Sequence, residues 1–187
     1  MKMKITHLLP LFLLLLFACE EPQQPASKKS PLVDVKAFIQ EQIPRMVETG
    51  DFQKTAEIGD EIKETQTLSF TEEDWEKELR FFTSANIDRN SWAEYFTIDS
   101  AQQTQGLRIT YTTETSKVPV KYAEINQDSS GNITSLTLKV RRSTALSVLE
   151  RDLTFAFPDS VAIKNYEKFK WLNPHKLRIT YRWPQRQ

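Results

Sequence analysis

Few residues of this chain have the chemistry of a catalytic or metal-binding site. Its 187 residues include one cysteine, Cys19, and two histidines, His7 and His175. His175 follows Asn173-Pro174, a turn signal, and a flexible turn is a poor place to hold the general base of a Ser/His/Asp arrangement. With a single histidine outside the N-terminal segment and no second thiol, we expect no catalytic residues, no metal site and no cofactor.

Two groups of oxygen-bearing side chains have simple structural interpretations. The segment Asp128-Ser129-Ser130-Gly131-Asn132 lacks the alternating acids and closing glutamate of a calcium loop, so a hairpin turn is preferred. An acidic run could supply the acid and base of a glycosidase, but in the first turns of an amphipathic helix such acids favour the helix dipole and a solvated face. The acids of this run are Glu72, Glu73, Asp74, Glu76 and Glu78. The four glycines form no phosphate-binding motif.

The N-terminus has the pattern of a signal peptide, predicted over residues 1–18. Lys2 and Lys4 precede residues 8–18, which are apolar apart from Pro10 and too few to span a bilayer as a helix. The segment ends in Leu16-Phe17-Ala18-Cys19, which resembles the lipobox of bacterial lipoproteins. That resemblance implies cleavage before Cys19, acylation of its thiol and attachment to a membrane without a spanning helix. The alternative is an ordinary secreted protein with an accidental cysteine.

After Cys19 the composition predicts a tether followed by one domain. Residues 20–31 contain three prolines and no large apolar residue, so residues 19–31 are interpreted as a lipidated cysteine and a disordered tether. Residues 32–187 are interpreted as a single domain. Glu20 and Glu21 resemble the acidic signals that send some Bacteroidetes lipoproteins to the cell surface. The expected location is the cell envelope, at the outer membrane, on its periplasmic or surface face.

The first half of this domain is expected to contain helices and one hairpin. Apolar residues recur every three or four positions over residues 32–47, which predicts a helix with a kink or early stop at Pro44 and an end at Gly50. Residues 52–68 are interpreted as a hairpin turning at Gly59-Asp60, with a helix as the alternative. Thr71 is predicted to cap a helix that runs to about Ala85, with a hydrophobic staple formed by the flanking aromatic residues.

Beyond residue 90 the hydrophobic period changes to two, which is typical of antiparallel strands with one buried face. Turn signals every 8 to 14 residues predict a meander of about six to seven strands. The apolar parity slips between Tyr122 and Ile125 and between Ile133 and Leu136, which predicts bulges that curl the sheet. The expected fold class is therefore α+β, with N-terminal helices packed on a curled antiparallel β-meander.

Charge is distributed unevenly along the chain. Residues 41–100 hold 15 acids and 6 bases, whereas residues 160–187 hold 7 bases and 1 acid. Acidic helices packed beside basic terminal strands would explain this. The alternative is a basic face that meets anionic headgroups, surface glycan or an acidic partner. This face would comprise Lys164, Lys168, Lys170, Lys176, Arg178 and Arg182. A protein held outside the cytoplasm is not expected to bind nucleic acid.

The order helix, hairpin, capped helix and meander resembles a group of uncharacterised Bacteroidetes lipoproteins. The resemblance is carried by residues 74–79, by Ala85-Asn86-Ile87-Asp88 and by the strand rhythm after Leu107, and it implies a place and a shape but no reaction. We therefore expect a non-catalytic binding or assembly module of the envelope, with an envelope protein as partner and an oligomeric state left open.

The alternative is a half-barrel-like carrier or sensor of an apolar ligand. The strands are rich in aromatic residues, among them Phe155, Phe169, Trp171 and Tyr181. Most of these are expected to be core, because aromatic side chains fill the buried face of a sheet. In a sheet that curls without closing, the same residues would line an apolar cleft.

Overall fold

The computed structural model describes residues 32–59 and 61–184, and the predicted signal peptide, Cys19 and tether lie outside these residues. Three α-helices and nine β-strands are present in this part of the chain. The helices are α1 (Val35–Thr49), α2 (Glu72–Glu78) and α3 (Arg80–Ser84), and a 3₁₀-helix follows at Asn90–Tyr95. The strands are β1 (Phe52–Ile58), β2 (Glu61–Leu68), β3 (Thr97–Gln103), β4 (Gly106–Thr112), β5 (Val120–Asp128), β6 (Ile133–Ser143), β7 (Ser147–Ala156), β8 (Ser160–Phe169) and β9 (His175–Arg182). The expected combination of helices with an antiparallel sheet is present, and strands make up most of the structure.

All nine strands form one antiparallel sheet in the order β2-β1-β9-β8-β7-β6-β5-β4-β3. The predicted meander is confirmed as the seven strands β3 to β9, and the predicted hairpin β1-β2 adds two more strands by pairing with β9. The sheet therefore has nine strands rather than six to seven. It is also open and uncurled, so the expected curl is wrong, because the hairpin extends one edge instead of closing the sheet.

Two bulges lie in the β5-β6 pair, and each changes which residues face the core. Asn126 pairs with Ser135 and Gln127 with Ile133, so Thr134 is the extra residue of this bulge. It lies between Ile133 and Leu136, where a bulge is predicted. The other register shift falls between Val120 and Tyr122, just before the predicted segment. Both bulges involve the same two strands, so they change the twist locally and do not curl the sheet as a whole.

Helix α1 continues through Pro44, so the predicted early stop is wrong. Asp34 accepts a hydrogen bond from the amide of Ala37 at the start of the helix, and Gly50 ends it with a φ of 81°. Ile43 and Met46, on either side of the proline, are buried in the core. Packing of this apolar stripe outweighs the backbone hydrogen bond that the proline removes.

The predicted start of the second helical segment is confirmed in detail. The hydroxyl of Thr71 accepts a hydrogen bond from the amide of Asp74, and the carboxylate of Asp74 accepts one from the amide of Thr71. The rings of Phe70 and Trp75 lie 5.0 Å apart, edge to face, as the hydrophobic staple requires. The helical turn breaks at Leu79, which is fully buried, and α3 then ends next to the predicted Ala85.

All three helices pack on one face of the sheet. Phe155 of β7, Val161 of β8 and Tyr181 of β9 are cross-strand neighbours and share this face. Phe38 of α1 and Phe82 of α3 contact the ring of Phe155. The ring of Trp75 in α2 lies 5.3 Å from that of Tyr181. The helices therefore cover the face on which this row lies and leave the other face without a helix among the described residues.

Most aromatic residues of the sheet fill this core, as expected, and do not line a cleft. Trp75, Tyr181, Phe52 and Phe155 are among the largest fully buried side chains. The ring of Phe52 contacts those of Phe70 and Trp75, with centroid distances of 4.8 and 4.7 Å. Close packing of rings between helix and sheet leaves these side chains unavailable to line an open cleft.

Candidate functional site

The side of the sheet that carries no helix, called here the open face, presents rows of polar side chains. Because side chains alternate along a strand, residues next to Tyr181 in β9 point away from the helices. Thr180 belongs to a row in which threonines recur on strand after strand. The row consists of Thr65, Thr55, Thr180, Ala162, Thr154, Thr137, Glu124 and Thr110. Apart from Glu124, this row is a strip of short side chains across eight strands.

Beside the threonine row runs a row of charges, which contains part of the predicted basic face. The row consists of Glu57, Arg178, Lys164, Asp152 and Lys139, on β1, β9, β8, β7 and β6. Lys168, Lys176 and Arg182 lie on the same side of β8 and β9 by strand alternation. The structure therefore brings five of the six predicted bases together on the open face. Lys170 follows β8 in the turn, where its Nζ lies 5.7 Å from the centre of the Trp171 ring.

The two adjacent bases of the charge row, Arg178 and Lys164, have an acid on either side. Arg178 Nη1 lies 3.3 Å from Glu57 Oε2, and Lys164 is paired with Asp152 across the β7-β8 ladder. These groups, with Glu150, line a shallow depression of about 490 Å³ on the open face. The charge row therefore alternates acid, two bases, acid and base, which differs from a uniformly basic face.

The explanation that acidic helices neutralise the basic strands is only partly right. The bases of β9 point to the open face, whereas α2 packs on the opposite side of the sheet. The acids beside these bases come from neighbouring strands: Glu57 of the hairpin forms an ion pair with Arg178, and Asp152 of β7 lies opposite Lys164 in the ladder. Strand order was needed to see this, because β1 lies far from β9 in sequence.

Sequence reasoning missed a second cluster of bases, at the strand ends around Trp92. Arg89, Lys121, Arg141 and Arg142 line a surface pocket of about 710 Å³ there, together with Glu114 and several hydroxyls. Lys121 Nζ donates to the carbonyls of Thr115 and Val118. Arg141 Nε lies 3.4 Å from Glu150 Oε1, and the Arg89 guanidinium lies 4.5 Å from the centre of the Trp92 ring. Three of the four bases therefore already have contacts within the chain.

A half-buried polar cluster lies under α2. Lys54 Nζ is 2.6 Å from Glu78 Oε1, and the Tyr181 hydroxyl donates a hydrogen bond to Glu78 Oε2. Burial, together with this hydrogen bond, raises the pKa of Tyr181 above its usual value. The sequence pattern places the acidic run on a solvated face. Glu78 is an exception, because it lies three residues after the buried Trp75 and therefore on the side of the helix that faces the sheet.

The other carboxylates of the acidic run have local structural roles. Hydrogen bonds from the Thr71 hydroxyl and amide lower the pKa of Asp74. Glu73 Oε1 lies 2.8 Å from Lys77 Nζ, one helical turn later. Glu72, Glu73 and Glu76 are exposed. Asp74 and Glu78 are half-buried, and their carboxylates contact Thr71 and Lys54, respectively. In the described part of the chain, the acids of this run therefore do not form a facing pair of the kind that a glycosidase uses.

The remaining candidates lie at strand ends and in turns. His175 is exposed and begins β9 opposite Glu167, so it lies in a strand end rather than in the turn itself. Asp128 Oδ1 accepts hydrogen bonds from the amides of Ser130 and Asn132, and these and neighbouring hydrogen bonds lower the pKa of Asp128. The hairpin turn predicted here is confirmed.

Comparison with known proteins identifies no relative. The chain matches no protein-family model, no curated protein and no solved structure. Within residues 32–59 and 61–184, no group of three or more His, Cys, Asp or Glu side chains is arranged to hold a metal ion. In the same part of the chain, no helix is long and apolar enough to cross a membrane.

Proposed function

We propose that this protein is a lipid-anchored, non-catalytic binding or assembly module of the bacterial cell envelope. In this proposal Cys19 carries the acyl chains that hold the chain at the outer membrane, and the open face binds an envelope protein. The observation that supports binding is the open face itself, a nine-stranded surface with rows of threonines and of alternating charges.

The composition of the open face favours a specific polar contact. Threonines are short and lose little side-chain entropy on binding compared with lysine or arginine. The charge row around Arg178 and Lys164 is flanked by acids at fixed strand spacings. A partner with complementary charges in the same spacing would be attracted, and a partner out of register would meet like charges. The two adjacent basic strands favour an acidic segment of the partner at β8-β9.

The alternative of a carrier for an apolar ligand has less support. It requires aromatic side chains around a hollow, whereas the rings of Phe52, Trp75 and Tyr181 are fully buried against one another. It also requires the sheet to curl. The carrier therefore remains a hypothesis that no contact described above favours.

The anchor is tested by comparing the unmodified chain with Cys19→Ser in cells. We expect the unmodified protein to enter the detergent phase on Triton X-114 partition and to be released from membranes only by detergent. Cys19→Ser lacks the thiol that is acylated before cleavage, so it should incorporate no labelled palmitate and should keep its first 18 residues. Ser27→Ala, a change within the predicted tether, serves as a matched control and should behave as the unmodified chain. An unmodified protein that enters the aqueous phase with its first 18 residues removed would contradict the anchor.

The binding face is tested by site-specific photocrosslinking in the same cells. A photoreactive phenylalanine analogue at Thr154 or Thr180, on the open face, should give discrete crosslinked products with an envelope protein. The same analogue at Glu76, an exposed position of α2 on the other side, is the control. Lys164→Glu combined with Arg178→Glu should reduce the products about tenfold, because the two adjacent bases of the charge row are reversed in sign. Equal crosslinking from Glu76 would contradict a role for the open face.

A further inference from the structure

In the part of the chain that the structure describes, the large exposed hydrophobic residues lie at one end of the sheet. Strand direction places this end at the β6-β7 and β8-β9 turns, the end of β1 and the beginning of β3. Among the described residues, six large hydrophobic side chains are exposed, and all six lie there. They are Ile58, Ile98, Leu146, Phe169, Trp171 and Leu172. A contiguous group of exposed apolar side chains marks a contact surface, whereas isolated ones do not.

Four of the six belong to two neighbouring turns, which we call the apolar tip. The tip consists of Leu146, between β6 and β7, and of Phe169, Trp171 and Leu172, at the β8-β9 turn. Trp171 and Leu172 are 75% and 66% exposed, the highest fractions among these side chains. The amide of Lys170 donates to the carbonyl of Leu146 at 3.0 Å, so the two turns are joined.

Hydrogen bonds hold the tip in a defined shape. The Thr144 hydroxyl accepts from the amides of Leu146 and Ser147 in the first turn. The amide of Leu172 donates to the carbonyl of Phe169 in the second turn. The apolar side chains are therefore presented by ordered turns, which reduces the entropy lost when they contact a surface.

The surroundings of the tip are basic. Residues 168–176 contain Lys168, Lys170, Lys176 and His175 and no acid. The nearest acid along the strand is Glu167, which lies opposite His175. Tryptophan is enriched at the interface between the headgroups and the acyl chains of a bilayer. Lysines beside it are attracted to anionic headgroups.

We propose that the apolar tip inserts into the interface of an anionic lipid bilayer. Trp171 and Leu172 enter the boundary between headgroups and acyl chains, and Lys168 and Lys170 meet lipid phosphates and carboxylates. Residues 168–176 contain three lysines and no acid. Two such basic tips would repel each other, so an anionic bilayer is favoured over a second copy of the chain. The biological setting of the contact rests on the anchor proposed above, but the contact itself requires no acylation.

The contact is tested with the unacylated chain that begins at residue 20. All buried hydrophobic residues of the described core lie between Leu32 and Trp183, so this chain contains the whole core. We expect it to float with phosphatidylcholine vesicles that contain phosphatidylglycerol, and to float much less with phosphatidylcholine alone. Trp171→Ala combined with Leu172→Ala should lower the partition coefficient about tenfold, through lost apolar contact. Ile98→Ala, at the far edge strand, is the matched control and should retain binding.

Tryptophan fluorescence identifies the inserted residue. Trp75 and Trp183 are buried, and Trp92 is partly buried against the core, whereas Trp171 is 75% exposed. Brominated phosphatidylcholine in the anionic vesicles should therefore quench the emission of the unacylated chain, and most of the quenching should be lost in Trp171→Ala. The thermal melting curve of each variant shows that the fold is retained.

Several results would overturn the inference. Equal flotation of the tip variant and the parent chain would show that other residues make the contact. Equal flotation with neutral and anionic vesicles would refute the role of Lys168 and Lys170. Absence of flotation, with a dimer in solution that the tip variant loses, would assign the tip to a second copy of the chain. None of these results depends on Cys19, so they are distinguishable from failure of the proposed anchor.

Discussion

The ion pair between Lys54 and Glu78 is expected to stabilise the fold more than a surface ion pair does. Both side chains are about three-quarters buried, with exposed fractions of 23% and 26%, and their charged atoms lie 2.6 Å apart. Glu78 also accepts the hydrogen bond of the Tyr181 hydroxyl. Replacing Glu78 by glutamine keeps an acceptor for Tyr181 but leaves the Lys54 ammonium without its counter-charge in a partly desolvated site.

The size of this effect follows from the partial burial. Hydrogen bonds to charged groups contribute about 1.5–3 kcal/mol, and exposed ion pairs about 0.2–1 kcal/mol. We therefore expect Glu78→Gln to lower the free energy of unfolding by about 2 kcal/mol, or the melting temperature by about 4–8 °C for a chain of this length. Lys54→Met should cost less, and the double variant should cost about 1–2 kcal/mol less than the sum of the two single changes.

The assay is a double-mutant cycle in urea, at neutral pH, with a matched cycle on Glu73 and Lys77. That second pair has a similar separation of 2.8 Å but exposed fractions of 77% and 66%. Its coupling free energy should be several times smaller, because solvent screens an exposed pair. If the Lys54-Glu78 coupling is no larger than that of the exposed pair, burial does not strengthen the ion pair and the reasoning is refuted.

Two further predictions concern the helix cap and the buried tyrosine. Thr71→Ala should lower the free energy of unfolding by about 1 kcal/mol in urea melts, whereas Thr71→Ser should not. Because hydrogen bonds from Thr71 lower the pKa of Asp74, the part of this stabilisation that the Asp74 carboxylate contributes is present above the ordinary carboxyl pKa and is lost as the pH falls; a cost of Thr71→Ala that is unchanged in acid would contradict it. Burial raises the pKa of Tyr181, so its stabilising contribution is complete below about pH 10 and is lost as the pH rises. From about pH 10 upward the stability from urea melts should therefore fall more steeply for the unmodified chain than for Tyr181→Phe, and parallel curves would refute this.

Local signals in the sequence predicted the elements well. The cap at Thr71, the staple of Phe70 and Trp75, and the turn at Asp128 depend on residues within a few positions of one another. Such interactions are fixed by local chain geometry, and the sequence displays them directly. The same holds for the hairpin of β1 and β2.

Features that depend on strand order could not be predicted in the same way. Nothing local to β1 indicates that it pairs with β9, yet this pairing places Glu57 next to Arg178 and extends the sheet to nine strands. Pro44 is similar, because its tolerance within α1 depends on core packing around Ile43 and Met46.

The apolar tip also depends on where a strand ends. The aromatic pattern predicts that Phe169 and Trp171 belong to a buried sheet, because aromatic residues are common on the core face of strands. Strand β8 ends at Phe169, so Trp171 lies in the turn and is exposed. Composition alone does not distinguish a core ring from a ring presented at a turn, and the pairing of β8 with its neighbours decides between them.

The two proposed membrane contacts are geometrically compatible. Asp34, before α1, lies in the same groove as Gly131 and Asn132 of the β5-β6 turn, so the chain enters the fold at the end of the sheet opposite the apolar tip. A strand of ten residues such as β8 spans about 33 Å, whereas the thirteen residues 19–31 reach at most about 45 Å when extended. Acyl chains on Cys19 and the apolar tip can therefore contact one bilayer at the same time. In that arrangement the strands stand on the membrane and the open face is directed sideways, where a neighbouring envelope protein can reach it.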